Sequence, residues 1–481
     1  MPEPTPTDAP PCARCRDLEG LLAKALDRIA ALEGLAVRVK DLEAQLKRNS
    51  TNSNQPPSAD PPGVERPKKP PTGRKQGGQP GHDGHSRQMV DASRVTRRVP
   101  IFPATCTGCS KPLTVPASGA PSARPVRHQV FDLPAVPAEV TEYELHALRC
   151  PDCGKATRAD LPADAPRGCV GARLQALLTL LVARAGASRR AAVEVLSDVL
   201  QAPISLGAVS ELEAQTTAAL EEPYQEVVAA VRAAPVAHVD ESGWRERARK
   251  CWIWTAATAT LAVFRIDPER SRAAFERLLG GDFAGTIVTD RWSAYAHVDA
   301  RRRAICWAHL KRDFQKLVDR DAAAKTLGEW GLREVALLFH AWRRFERREI
   351  QRDELLREIA PVKARVGRLL KRCRDSDDTK AAGFARNVLG VWAALWTFSR
   401  QAGVEPTNNR AERVIRSPVV WRKTSFGTAS PRGSRFVERV LTVVATLRSQ
   451  RRSVFAWLVQ RFQAVRAGLA GQGLVSMPGY N

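Results

Sequence analysis

Three acidic residues have the types and spacing that could do chemistry. Asp240 closes a short apolar run at 236–239, and Asp290 closes another at 286–289. Acids at the ends of buried strands are costly unless they bind something. Glu412 falls in Thr407-Asn408-Asn409-Arg410-Ala411-Glu412-Arg413. Either asparagine is a good N-cap, which puts Glu412 in the first helical turn and Arg416 one turn on, on the same face. Three carboxylate arms on a rigid frame suit phosphodiester cleavage by two divalent ions, which sit about 4 Å apart and share ligands. Mg2+ (or Mn2+) prefers oxygen ligands and keeps some water, leaving room for a phosphate and a nucleophile. Alone, Glu412 reads more readily as a capping or dipole partner. The two strand-end acids tip it towards a ligand.

Other acids are less well placed. Glu241 should point to the opposite face of its strand from Asp240. Glu405 precedes Pro406 in a loop, Glu438 sits on a later helix, and Asp282 and Asp299 lie in turns.

A second group with metal-ligand spacing is the pair of knuckles Cys106-x-x-Cys109 and Cys150-x-x-Cys153, followed by Ser110-Lys111 and Gly154-Lys155. Four thiolates on two turns predict a structural Zn2+ ribbon, and no βαβ context favours redox chemistry instead. Cys12-x-x-Cys15 reads as chance spacing at the terminus. Cys306-x-x-His309 supplies only two ligands, a poor zinc site by itself. His309 is expected to order the edge of the acid site or the DNA. Arg413, Arg416, Arg422 and Lys423 are candidate phosphate contacts, against the plainer reading of surface helix charge. Trp292 is a candidate for stacking on a displaced base, against the plainer reading of a core residue.

The elements that must position these groups follow from periodicity. Leu18, Leu22, Ala25, Ile29, Leu32, Ala36, Val39 and Leu46 alternate by four and three, broken once at Glu43, and predict a coiled coil over 18–48 after a terminus at 1–17. Residues 49–92 form a basic linker rich in Pro and Gly. Residues 93–167 form the zinc-ribbon domain, and 168–232 a helical connector with a weak helix-turn-helix pattern at 188–200 and 205–219. Strands at 236–239, 252–257 and 261–266 predict an antiparallel meander. A helix at 270–279 then crosses over to put a strand at 286–289 parallel to the first, with another at 303–306. That is a ribonuclease-H-like mixed sheet, assigned to 233–316 and 404–450. Residues 317–403 read as a large helical insertion and 451–481 as a C-terminal tail. The fold class is multidomain α/β.

The chain has 481 residues and a net charge of +24, an excess that favours a polyanionic partner, nucleic acid above all. No apolar run is long enough to span a bilayer, and residues 1–11 lack the pattern of a signal peptide. A cytoplasmic, nucleoid-associated bacterial protein is expected.

The motifs, in their order, resemble the insertion sequence 66 family of bacterial transposases. The resemblance runs from the coiled coil and Asn49-Ser50-Thr51-Asn52-Ser53-Asn54 through Gly77-Gly78-Gln79-Pro80-Gly81-His82 and the paired knuckles. It continues in Asp240-Glu241-Ser242-Gly243-Trp244, Asp290-Arg291-Trp292-Ser293-Ala294-Tyr295, Cys306-Trp307-Ala308-His309 and the segment around Glu412. Trp292 stands where family members tend to carry Tyr, and Thr407 where an Asp often precedes the asparagine pair. The resemblance implies a DDE core with Asp240, Asp290 and Glu412 as the acids. It also implies cleavage at transposon ends and attack of the freed 3′ hydroxyl on target DNA. Partners would be transposon-end and target DNA, a second copy through the coiled coil, and element-encoded accessory proteins. The alternative is a catalytically inactive or domesticated DNA-binding derivative.

Overall fold

The computed structural model describes residues 13–46, 89–114, 126–162, 165–166, 168–319 and 322–475. Cys12 and almost all of the basic linker lie outside them. The first helix, α1, spans Ala13–Leu46. Along its apolar seam Leu22, Ile29, Leu32 and Val39 are each more than half exposed.

The chain divides into two compact units, one of Pro67–Val140 with Ser197–Ala202 and one of the rest. In the smaller unit, Thr105 and Pro112 form an isolated bridge around the first cysteine knuckle. In the larger unit, β1 (Ala147–Arg149) pairs antiparallel with β2 (Ala156–Arg158) around the second. Helices α2 (Ala172–Ala183), α3 (Arg189–Leu200), α4 (Leu206–Ala219) and α5 (Glu221–Arg232) follow.

A five-stranded mixed sheet forms next, in the order β5-β4-β3-β6-β7. Its strands are β3 (Val236–Glu246), β4 (Arg249–Ala257), β5 (Ala262–Asp267), β6 (Thr286–Thr289) and β7 (Arg303–Ile305). β3, β4 and β5 form an antiparallel meander, and β6 and β7 add in parallel on the other side of β3. The crossover from β5 to β6 carries α6 (Arg272–Leu279), capped by Ser271. The meander and the parallel placement of β6 beside β3 are those expected from the spacing of the apolar runs.

One expectation is corrected. Asp240 does not end its strand: β3 continues to Glu246 in a long hairpin with β4. What ends near Asp240 is the parallel pairing with β6, whose last register pair is His238 with Val288. The polar residues after Val239 hid the extension, because the outer half of the hairpin is only partly buried and lacks a continuous apolar pattern.

Helix α7 (Trp307–Val318) leads into α8 (Ala322–Glu346), α9 (Arg352–Arg374), α10 (Thr379–Gly390), α11 (Trp392–Leu395) and α12 (Thr397–Arg400). These helices share one buried cluster with β6, β7 and α7, built around Trp307, Phe314, Leu370 and Trp396. Gly331 is required for the approach of α8 to α7, since a Cβ there would lie 2.2 Å from the Phe314 ring. The chain returns to the sheet through α13 (Asn409–Ser425), α14 (Pro431–Ser449) and α15 (Val454–Arg466). Among the described residues, no helix is long and apolar enough to cross a membrane.

Candidate active site

The site lies where the parallel pairing of three neighbouring strands runs out, at the ends of β6 and β7 and partway along β3. The register pairs His238 with Val288 and Val288 with Ala304. Two residues further along each chain stand Asp240, Asp290 and Cys306. With a side-chain period of two, residues level with one another on parallel strands project on the same face. The Cys306 N–H donates to Thr289 O at 2.9 Å, which keeps this level just past the last strand pairs.

Helix α13 brings the third acid to this edge. The Asn408 side chain does not cap the helix; its Nδ2 reaches away and donates to Val239 O at 2.7 Å. The Asn408 N–H donates to Cys306 Sγ at 3.1 Å, and Trp307 N–H to Pro406 O at 2.8 Å. One buried asparagine therefore ties the helix start to both β3 and the end of β7. At the far end, Phe426 and Gly427 adopt positive φ and the chain turns back against β3. A Cβ on Gly427 would lie 2.2 Å from Arg245 O, so only glycine fits there. Held at both ends along β3, α13 presents Glu412 in its first turn.

Asp240 lies in the field of both other candidate acids. Burial pushes the Asp240 carboxyl well above its ordinary range, and the charges of Glu241, Glu412 and Asp290 add to the rise. Only the Glu241 N–H, donating to Asp240 Oδ1 at 3.0 Å, works the other way. Asp290 Oδ1 accepts from the Trp292 N–H at 2.9 Å. Among the described residues, no Lys or Arg forms an ion pair with Asp240 or Asp290. Buried Arg303 feels Asp290 but is not bonded to it, and burial lowers its pKa. Glu412 Oε1 is buried without a hydrogen bond, 3.6 Å from His309 Nδ1 and 3.9 Å from Arg312 Nη2. Carboxylates withdrawn from water and not neutralised by Lys or Arg, as Asp240 and Asp290 are, fit hard divalent cations.

Glu241 turns to different partners, as alternation along a strand requires. Arg270 Nη2 donates to its Oε1 at 2.6 Å, and the Tyr295 hydroxyl to its Oε2 at 2.5 Å. Trp292 belongs to this cluster: the Arg270 guanidinium lies 4.2 Å from its ring centroid, and the Trp254 and Tyr295 rings pack at 5.8 and 5.6 Å. It is half-buried among side chains of its own chain.

The remaining candidates separate. Arg413 and Arg416 line a cavity of about 530 Å3 together with Arg184, Arg410 and Arg448, over a floor that includes Phe264 and Val444. Arg422 instead turns inward, its Nη1 donating to Gly243 O and to Ser242 Oγ. Lys423 is exposed. His309 is brought against Glu412, and burial, followed by the Arg312 charge, lowers its pKa. Two site features escaped the sequence reading: Asn408 as the anchor of α13, and the approach of Cys306 to Glu412. The asparagine pair and the Cys-x-x-His spacing were their only signals.

Each cysteine knuckle, taken separately, forms the same turn. The Cys106 N–H donates to Lys111 O and the Ser110 N–H to Cys106 O. The Cys150 N–H donates to Lys155 O and the Gly154 N–H to Cys150 O, all at 2.8–3.0 Å. Ser110 and Gly154 both take positive φ. Backbone N–H groups, of Gly108 in the first knuckle and of Cys153 in the second, lead in lowering the pKa of Cys106 and Cys150.

Comparison with known proteins gives these features a context. Residues 8–88 match a family of unknown function, DUF6444. The uncharacterized protein y4qI of Sinorhizobium fredii (strain NBRC 101917 / NGR234) is 24% identical over 259 residues, 48% of this chain and 47% of that protein. The uncharacterized protein y4jD of the same strain is 24% identical over 271 residues, 51% of this chain and 53% of that protein. The chain thus matches about half the length of these curated relatives. Residues 167–435, more than half of the chain and all of the acid site, match the model of the transposase IS66 family, and the protein belongs to that family.

Proposed function

We propose that the chain is a DDE transposase with a ribonuclease-H-like core that cleaves transposon-end DNA and joins the freed 3′ ends to target DNA. What supports this is that Asp240 and Asp290 stand level on neighbouring parallel strands, that Glu412 heads a helix anchored to β3, and that Asp240 feels the charges of both other acids, with no ion pair to Asp240 or Asp290 among the described residues. Asp240, Asp290 and Glu412 would hold a pair of Mg2+ or Mn2+ ions. When bound, such ions supply Lewis acidity at the attacking and leaving oxygens.

The chain's own contribution is positional. Asn408 fixes the height of Glu412 over the sheet, and the Trp292 N–H orients the Asp290 carboxylate. His309 sits beside Glu412 as a positioning group at the site's edge. The cavity lined by Arg410, Arg413, Arg416 and Arg448 flanks α13 and suits a DNA backbone, because guanidinium groups bind phosphates in a bidentate way. The inward bond of Arg422 suits a supporting role instead.

Two further parts of the reading concern assembly. The exposed seam of α1 suits pairing with a second copy, since a row of half-exposed Leu, Ile and Val is otherwise left in water. The turn at each knuckle, taken by itself, suits a pair of thiolate ligands to a structural Zn2+. Light scattering that gives a monomer mass would end the first, and absence of tightly bound zinc after reducing purification the second.

The decisive experiment uses labelled element-end DNA. Purified protein should cut and join it with Mg2+, and Asp290→Asn should fold normally and do neither. DNA binding without cleavage in the unaltered protein would favour the inactive, domesticated reading. Cleavage retained by Asp290→Asn would remove the assignment of the acids.

A further inference from the structure

Cys306, His309 and Glu412 each offer one ligand atom, and the three atoms lie within 4.8 Å of one another. They come from two elements. Cys306 and His309 flank the start of α7, where the i, i+3 spacing brings both side chains to one side. Glu412 descends from α13. The donors are of three kinds: a thiol, an imidazole and a carboxylate. From this juxtaposition we infer a binding site for one borderline-soft transition ion, Zn2+ by preference, at the shared edge of the acid site.

Three observations carry this. His309 Nδ1 and Glu412 Oε1 are both buried and both lack a hydrogen-bond partner, yet lie 3.6 Å apart. Two nitrogen or oxygen ligands of a tetrahedral zinc, each bound at about 2.05 Å, stand about 3.4 Å apart, so these atoms need move little to share an ion. Second, Cys306 is fully buried at the foot of the site, and its Sγ accepts the Asn408 N–H at 3.1 Å. An N–H aimed at sulfur stabilises a thiolate as it does any anion. Third, His309 and Glu412 keep about a third of their side-chain surface exposed, which leaves a path for the ion and a fourth position for water. Arg312, 3.9 Å from Glu412 and itself 38% exposed, is the competing cation and has room to swing into solvent.

The donor set separates this ion from the proposed Mg2+ pair. Mg2+ does not take thiolate ligands, whereas Zn2+ and Co2+ do. Both sites claim Glu412. A zinc ion held here would withdraw that carboxylate from the Mg2+ pair, so the site acts as an inhibitory switch. The zinc site stands independently of the proposed transposase chemistry; only the inhibition rests on it.

Cobalt substitution of the full-length protein tests the site without DNA or Mg2+. Thiolate-to-cobalt charge-transfer absorption and bound metal per chain are measured for the unaltered protein, Cys306→Ser and His309→Ala. Cys306→Ser should lose one ion per chain and the absorption due to its sulfur, while absorption from the paired knuckles persists. His309→Ala, altered at a partly exposed position outside the buried apolar cluster, should fold and bind the ion at least about a hundredfold more weakly, since even outer-shell losses cost 10–100-fold. Metal content, affinity and spectrum unchanged in His309→Ala would overturn the site whatever Cys306→Ser does. In the cleavage assay, zinc should slow the unaltered protein more than His309→Ala. Equal inhibition of the two would overturn the shared-carboxylate switch and leave the binding result to stand alone.

Discussion

Two acidic clusters on one sheet are treated in opposite ways. At the end of β5, Asp267 is 1% exposed, but Arg277 grips both of its oxygens at 2.7 Å and the Glu269 N–H donates to it at 3.0 Å. Burial raises its pKa, yet the Arg277 bonds, the Glu269 N–H and the nearby charges outweigh that, and the carboxyl ends below its ordinary range. Two strands away, Asp240 is pushed well above its range by burial and by other acids. The sequence has guanidinium groups to spare, with 75 Lys and Arg against 51 Asp and Glu. Withholding them from Asp240 and Asp290 is therefore informative. A paired buried acid holds the sheet together, and an unpaired one is destabilising until a cation arrives.

This contrast can be broken at either end. The largest expected effect is on chemistry. Glu412→Gln should lower Mg2+-dependent cleavage by more than about a hundredfold, since even outer-shell partners of a metal ligand cost 10–100-fold, and thermal unfolding of the metal-free protein should barely move. A cleavage rate within tenfold of normal would dissolve the distinction between the clusters. Next comes the structural cluster. Arg277→Met leaves Asp267 buried and without its main partner, and should cost about 2–3 kcal/mol in denaturant unfolding, less than a fully buried pair because Arg277 is partly exposed. Metal dependence of cleavage should be unaltered in the folded fraction.

The smallest effect has the opposite sign. Asp240→Asn should abolish cleavage yet stabilise the metal-free protein at neutral pH by about 1 kcal/mol, as relief of a functional site commonly does. The sign follows from linkage. The folded-state pKa of Asp240 is raised, so the unfolded chain releases this proton first, and stability falls as pH rises from the unfolded value of about 4 through the folded one. The stability advantage of Asp240→Asn over the unaltered protein should therefore grow across that window and shrink when Mg2+ is added. An advantage independent of pH would mean that Asp240 is not a strained carboxylate. Glu438, pushed up to about 7 by burial, contributes in the same direction but is common to both proteins.

Much of this arrangement was legible from residue types. The apolar runs before Asp240 and Asp290 gave the strands, and their spacing with the intervening helix gave the directions. The asparagine pair marked the start of α13. The length of β3 was not legible, because Ser242, Gly243 and Arg245 carry no strand signal and are held by pairing with β4. Arg422 read as a candidate phosphate contact because nothing local reveals that Gly243 O lies across from it, 179 positions away in the chain.

The sequence by itself determined which groups could ligate a cation and which strands would carry two of them, since period and turn chemistry are local. Only the tertiary structure decided that the start of α13 is tied to β3, and that Cys306 and His309 meet Glu412. That meeting depends on a helical insertion packing back on β6 and β7, and on one buried side chain, Asn408, bonding to a carbonyl 169 positions earlier. Contacts at such separations are set by the packing of whole elements, which no short stretch of sequence encodes.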